Sequence, residues 1–126
     1  MNPKAIKTIY RILTIVFALL MLMDGGAGIV KEKTGQEVMN HLHYPIYIMV
    51  ITGAFKILGA IAILQNKYKT IKEWAFAGFA INFIGAFASR AFMGDAIGLL
   101  IPPLVVLAVM FVVYYFWKKF ETVKTI

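Results

Sequence analysis

The chain has 126 residues, 61% of them hydrophobic and 15% charged, with a mean hydropathy of +0.80. Soluble domains carry about 45–50% apolar and about 25% charged residues, so a water-covered surface is disfavoured and lipid is the expected solvent. Cysteine is absent, which excludes disulfides, thiol redox chemistry and thiolate metal sites; the net charge of +7 sits in short basic clusters between apolar runs, unlike a nucleic-acid-binding surface.

The chain opens on Lys4, Lys7 and Arg11, and an apolar run follows to Met23. Together they predict a first membrane span over 8–24. A cleaved leader would need a small residue where Asp24 stands, and no Ala-x-Ala motif follows. Asp24 to Tyr44 is the longest polar connection, and Val38, Met39 and Leu42 against Gln36, Asn40 and His43 predict a short amphipathic helix at the interface. Pro45 is expected to start the second span, 45–64, because a first-turn proline loses no hydrogen bond.

A basic turn with Lys67, Lys69 and Lys72 leads into the third span, 74–93, whose 20 residues cover about 30 Å, one hydrocarbon thickness. Its positions Ala75, Gly78, Asn82, Gly85 and Ser89 share one helix face. Small residues let helices approach closely in lipid, so this span is expected to be the packing spine, with Gly53, Gly59, Gly78, Gly85 and Ser89 as helix contacts. Glu73 is expected to cap its start beside Lys69 and Lys72. Gly94 and Asp95 end it. The fourth span, 99–117, tolerates Pro102 and Pro103 near its beginning and closes on Lys118 and Lys119.

Four spans joined by short turns predict an all-α, transmembrane up-down-up-down four-helix bundle, a single domain over 1–126. Nine Lys and Arg flank the ends that share a side with the termini, and Lys31, Lys33 and Arg90 flank the others. By the positive-inside rule both termini are expected in the cytoplasm.

Polar residues within the spans are the candidates for function. Lys56 lies near mid-depth, where a lysine costs about 2.5–3.5 kcal/mol on insertion scales, and Thr52, Gly53, Gly59 and Ala60 share its face. Asn82 is expected at similar depth. Asp24, Arg90 and Asp95 fall toward the outer surface, where Arg90 has both Asp24 and Asp95 as possible partners and Lys56 can reach toward Asp24. The predicted ligand-binding seam is therefore Lys56, Asn82, Asp24, Arg90 and Asp95. Lys56 reads equally as a structural group; Asp24, Arg90 and Asp95, near water, read more readily as structural ion pairs that fix helix order, and Asn82 and Ser89 as helix-packing contacts. No nucleophile–base pair can be assembled, so no catalytic residue and no catalytic activity of its own is predicted. His41 and His43, two apart, share no helix face, so no metal site is expected. The Gly25-Gly26-Ala27-Gly28 run lacks the strand and the Lys-Ser/Thr of a phosphate loop.

The chain resembles the DoxX-like family of small bacterial four-helix membrane proteins. The likeness rests on His41-Leu42-His43-Tyr44-Pro45, Phe55-Lys56-Ile57-Leu58-Gly59, Lys72-Glu73-Trp74-Ala75-Phe76-Ala77-Gly78-Phe79, Gly85-Ala86 with Ser89, Gly94-Asp95 and Pro102-Pro103. Asn82 stands where the family often has an acid, and Arg90 where it often has a histidine. The resemblance implies a bacterial inner-membrane protein, a subunit or ligand-binding component of a membrane redox or stress-response complex. A quinone is the implied cofactor, and a redox protein or a second copy the implied partner. An oligomeric transporter or channel for a small polar solute is the alternative.

Overall fold

The computed structural model describes residues 2–125. Five helices follow in order: α1 (Pro3–Ile29), α2 (Lys33–His41), α3 (Tyr47–Leu64), α4 (Lys69–Phe92) and α5 (Ile97–Val123). No strand occurs among the described residues. Four of the helices, α1, α3, α4 and α5, are long and apolar enough to cross a membrane. They run alternately up and down as a four-helix bundle, in which α1 packs on α3 and α5, and α4 on α3 and α5.

Each helix begins and ends for a local reason. Asn2 caps α1 by accepting from the Lys4 N–H at 2.8 Å, and Pro3 sits where a missing N–H is harmless. Glu32 caps α2 by accepting from the N–H groups of Thr34 (2.8 Å) and Gly35 (3.1 Å). Those bonds hold its carboxyl below the ordinary carboxylate pKa. The ends of α1, α2 and α4 share one construction. Lys31 (φ 55°), His43 (φ 63°) and Gly94 (φ 71°) adopt left-handed backbone, and the next N–H reaches back to the helix: Glu32 to Ala27 O, Tyr44 to Met39 O, Asp95 to Arg90 O.

The buried stripe of α1 is Ile6, Tyr10, Thr14, Phe17, Ala18, Met21 and Gly25, at helical spacing. Phe17 meets the edges of Phe79 and Phe83 across the core, and Phe76 stacks on Trp117 with ring centroids 5.5 Å apart. Such pairs add about 0.5–1.5 kcal/mol each beyond area burial. Outward faces are apolar as well: Ile15, Leu19, Leu58, Ile81 and Val105 are all exposed, as lipid-facing residues are.

The third span is not the packing spine. Its inward face carries Lys72, Phe76, Phe79 and Phe83, while Gly78 and Gly85 are exposed and a Cβ on either would meet nothing within 4 Å. The close helix crossing lies elsewhere, between α1 and α3. A Cβ on Gly25 would lie 2.6 Å from Gly53 O, and one on Gly28 2.6 Å from Met49 O. A small residue brings helices together only where the partner is flat too. The flat face of α3 at Gly53 is taken by Gly25 and Gly28, so Gly78 and Gly85 have no matching surface. This contact also carries α1 through its glycines to Ile29, so Asp24 is helical rather than part of the connection. Gly59 leaves room for the Phe79 ring, whose Cζ would lie 2.7 Å from an added Cβ.

Candidate functional site

The site is built between α3 and α4, where the Phe-lined edge of α4 touches α3 but its small-residue face stands back. Two cavities result. The first, about 560 Å³, has a mostly apolar wall drawn from all five helices, into which Asp24, Lys56, Asn82, Ser89 and Arg90 bring polar groups; Val38 and Met39 of α2, Leu42 just after it, and Leu99, Pro102, Pro103 and Val106 of α5 also line it. The second, about 600 Å³, is apolar and is walled by Phe55, Leu58, Gly59, Trp74, Gly78 and Phe79. Thr52, Lys56, Ile81 and Asn82 line both.

Lys56 is the tenth of the 18 residues of α3, and Asn82 the fourteenth of the 24 of α4. The Lys56 ammonium pairs with Asp24. That pair, rather than Asp24 with Arg90, is what the positions in α1 and α3 produce: the glycine crossing brings Asp24, one residue from Gly25, beside Lys56, three from Gly53. The Asn82 amide has no hydrogen-bond partner among the described residues. Thr52 does not supply one, because its hydroxyl bonds back to Ile48 O at 2.9 Å.

At the mouth, Arg90 Nη1 donates to Asp95 Oδ2 at 3.1 Å. His41 Nε2 donates to Asp95 Oδ1 at 2.6 Å, since a carboxylate can only accept. The hydrogen bond from His41, and then that from Arg90, hold the Asp95 carboxyl below its ordinary value against the opposing effect of burial. Gly94 positions this cluster: its left-handed turn folds Asp95 back over the end of α4. The Tyr44 and Ser89 hydroxyls share a hydrogen bond of 2.6 Å. Thus α2 and the turn after it are fastened to the end of α4 at two points. Ser89 meets this turn rather than a neighbouring helix. Asp95 does not line the cavity; it anchors Arg90, which does.

A second polar cluster lies at the end of the bundle that carries both termini. Lys72 is 1% exposed. Its ammonium donates to the Tyr10 hydroxyl and to Asn66 Oδ1 at 2.7 Å, and lies over the rings of Tyr10 and Trp117 at 4.8 and 5.3 Å. Tyr10 in turn donates to Asn66 Oδ1 at 2.7 Å. The sequence reads Lys72 as part of the basic turn before the third span, whereas the structure buries it in α4. The available signal was spacing: Lys72 falls four before Phe76, on its buried face. Glu73 is not a cap. It pairs with Lys118 and accepts from the Tyr114 hydroxyl at 3.2 Å, joining α4 to α5. Among the described residues no group of His, Asp and Glu could hold a metal ion.

Four apolar spans around a partly charged intramembrane cleft define a small multi-pass integral membrane protein. The model of the DoxX-like family matches residues 12–113, and the chain belongs to that family. No curated protein and no solved structure matches it.

Proposed function

We propose that this protein is a non-enzymatic, ligand-binding component of a bacterial inner-membrane redox or stress-response complex, with both termini cytoplasmic, and that its ligand is a quinone. One observation carries the reading: the Asn82 amide, without a hydrogen-bond partner among the described residues, lines the same two cavities as Lys56. An unsatisfied amide in hydrocarbon costs several kcal/mol, so a partner from outside the chain is favoured there. A quinone carbonyl accepts from an amide N–H or an ammonium, and its ring suits walls of Phe and Ile. The ionic groups of the cleft balance, Lys56 with Asp24 and Arg90 with Asp95, which favours an uncharged head over a phosphate.

The transporter reading is less well supported. Beyond Lys56, the wall of the apolar cavity has no ionisable group, so a solute crossing one copy would lose its polar path halfway. The decisive experiment is ligand binding by purified protein in detergent. Micromolar binding of a quinone analogue, lost in Lys56→Met and in Asn82→Leu, is the expected result. Unchanged melting temperature with quinone analogues, together with solute flux in liposomes, would replace this reading with the transporter.

A further inference from the structure

The apolar cavity remains unassigned by the reading above. It is not a separate pocket, because Thr52, Lys56, Ile81 and Asn82 belong to both cavities. From Asn82 it runs along α4 to Trp74 and Ile71, eight to eleven residues, or about 12–17 Å at 1.5 Å per residue. Gly59, Ala62, Ala75 and Gly78 line it, and Gly78 has open space where a side chain would be. The groove exists because α4 presents glycine where nothing packs. Its polarity is mostly one-ended: Thr52, Lys56 and Asn82 cluster at one end, and apolar side chains with the Trp74 indole line the rest.

We propose that this groove is the tail subsite of the same ligand: the α3–α4 cleft takes an amphiphile with an uncharged, hydrogen-bonding head at Lys56 and Asn82 and one linear hydrocarbon tail running along Gly78 toward Trp74. This rests on the proposed head site. Lipid access follows from the groove's outer rim, where Leu58 and Trp74 are exposed, so the ligand enters sideways from the bilayer. Small residues, Gly59, Ala62, Ala75 and Gly78, line the groove and leave room in it for a hydrocarbon tail. The ligand class is thereby narrowed from quinones in general to prenylated or alkylated ones.

The experiment compares decylubiquinone with the same ring lacking its tail, by binding to purified protein in detergent. Four proteins are used: wild type, Gly78→Leu, Gly98→Leu and Asn82→Leu. Gly78→Leu fills the groove without a clash, and Gly98→Leu is the matched substitution at a site outside both cavities that also meets nothing within 4 Å. The tailed compound is expected to bind wild type about tenfold more tightly than the bare ring. Gly78→Leu should erase that difference while bare-ring binding persists, Gly98→Leu should preserve it, and Asn82→Leu should weaken both compounds. Equal binding of the two compounds to wild type, or a tail advantage that survives Gly78→Leu, overturns the tail subsite and leaves the head site standing. Failure of both compounds to bind wild type overturns both.

Discussion

Lys72 and Lys56 are both lysines on membrane helices, and the chain treats them differently. Lys72 is enclosed, with Tyr10, Asn66 and two aromatic rings around it. Lys56 has one carboxylate partner and a cavity on either side. The first arrangement is structural. Tyr10→Phe removes a buried hydroxyl from a network that Lys72 and Asn66 share, and is expected to cost about 1–3 kcal/mol in reversible unfolding in detergent. Asp95 offers a pH test. Its folded pKa is depressed, so its contribution is present above its ordinary value of 3.8 and is lost as pH falls through the lower folded value. Wild type should therefore melt above Asp95→Asn at neutral pH, and the two curves should converge only below pH 3.8. The depths of Lys56 and Asn82 were legible because an ionisable or amide residue in an apolar run can be located by counting. Of the partners of Asp95, Arg90 was legible, five residues away, and His41 was not. His41 lies 54 residues away, and only the turn at His43 and the Schellman turn at Gly94 bring the two together.

At the scale of elements, glycine separates two kinds of helix face. Gly53 lies against α1, and Gly78 faces a groove. Gly53→Leu would drive a side chain into the Gly25 backbone, 2.5 Å from its Cβ, and is expected to destabilise by more than about 3 kcal/mol, since neither backbone can yield as a side chain does. Gly78→Leu should stay within about 0.5 kcal/mol of wild type in the same detergent melt. The sequence revealed four helices because long apolar runs have few other solutions in lipid. It did not reveal which small-residue face would be used. Small residues recur on the faces containing Gly25, Gly53 and Gly78 alike, and the choice among them depends on three-dimensional pairing. The connection after α1 shows the same limit: a Gly-rich run reads as a loop until its glycines are seen to contact another helix. The helix ends carry a smaller cost. Lys31 and His43 sit at positive φ without being glycine, and Lys31→Gly should raise stability by about 1 kcal/mol.

For the whole molecule, the two tryptophans report on the surrounding solvent. Trp74 is 73% exposed on the rim of the bundle, and Trp117 is 0% exposed within it. In vesicles of brominated lipid, Trp117→Phe protein, which retains Trp74, should be strongly quenched, and Trp74→Phe protein only weakly. Equal quenching of both would mean that the bundle does not hold its core closed in lipid.

The Gly25–Gly53 crossing has a consequence for biogenesis. It joins the first two membrane helices to leave the ribosome, so the tightest seam of the protein lies within its N-terminal half. A nascent chain stalled beyond Leu64 already owns that seam and the Asp24–Lys56 pair, yet it has only one wall of the cleft. The cleft is walled in only once α4 and then α5 have arrived, since Leu99, Pro102, Pro103 and Val106 of α5 also line it, so on the proposed reading occupancy is a late checkpoint on assembly rather than a scaffold for it.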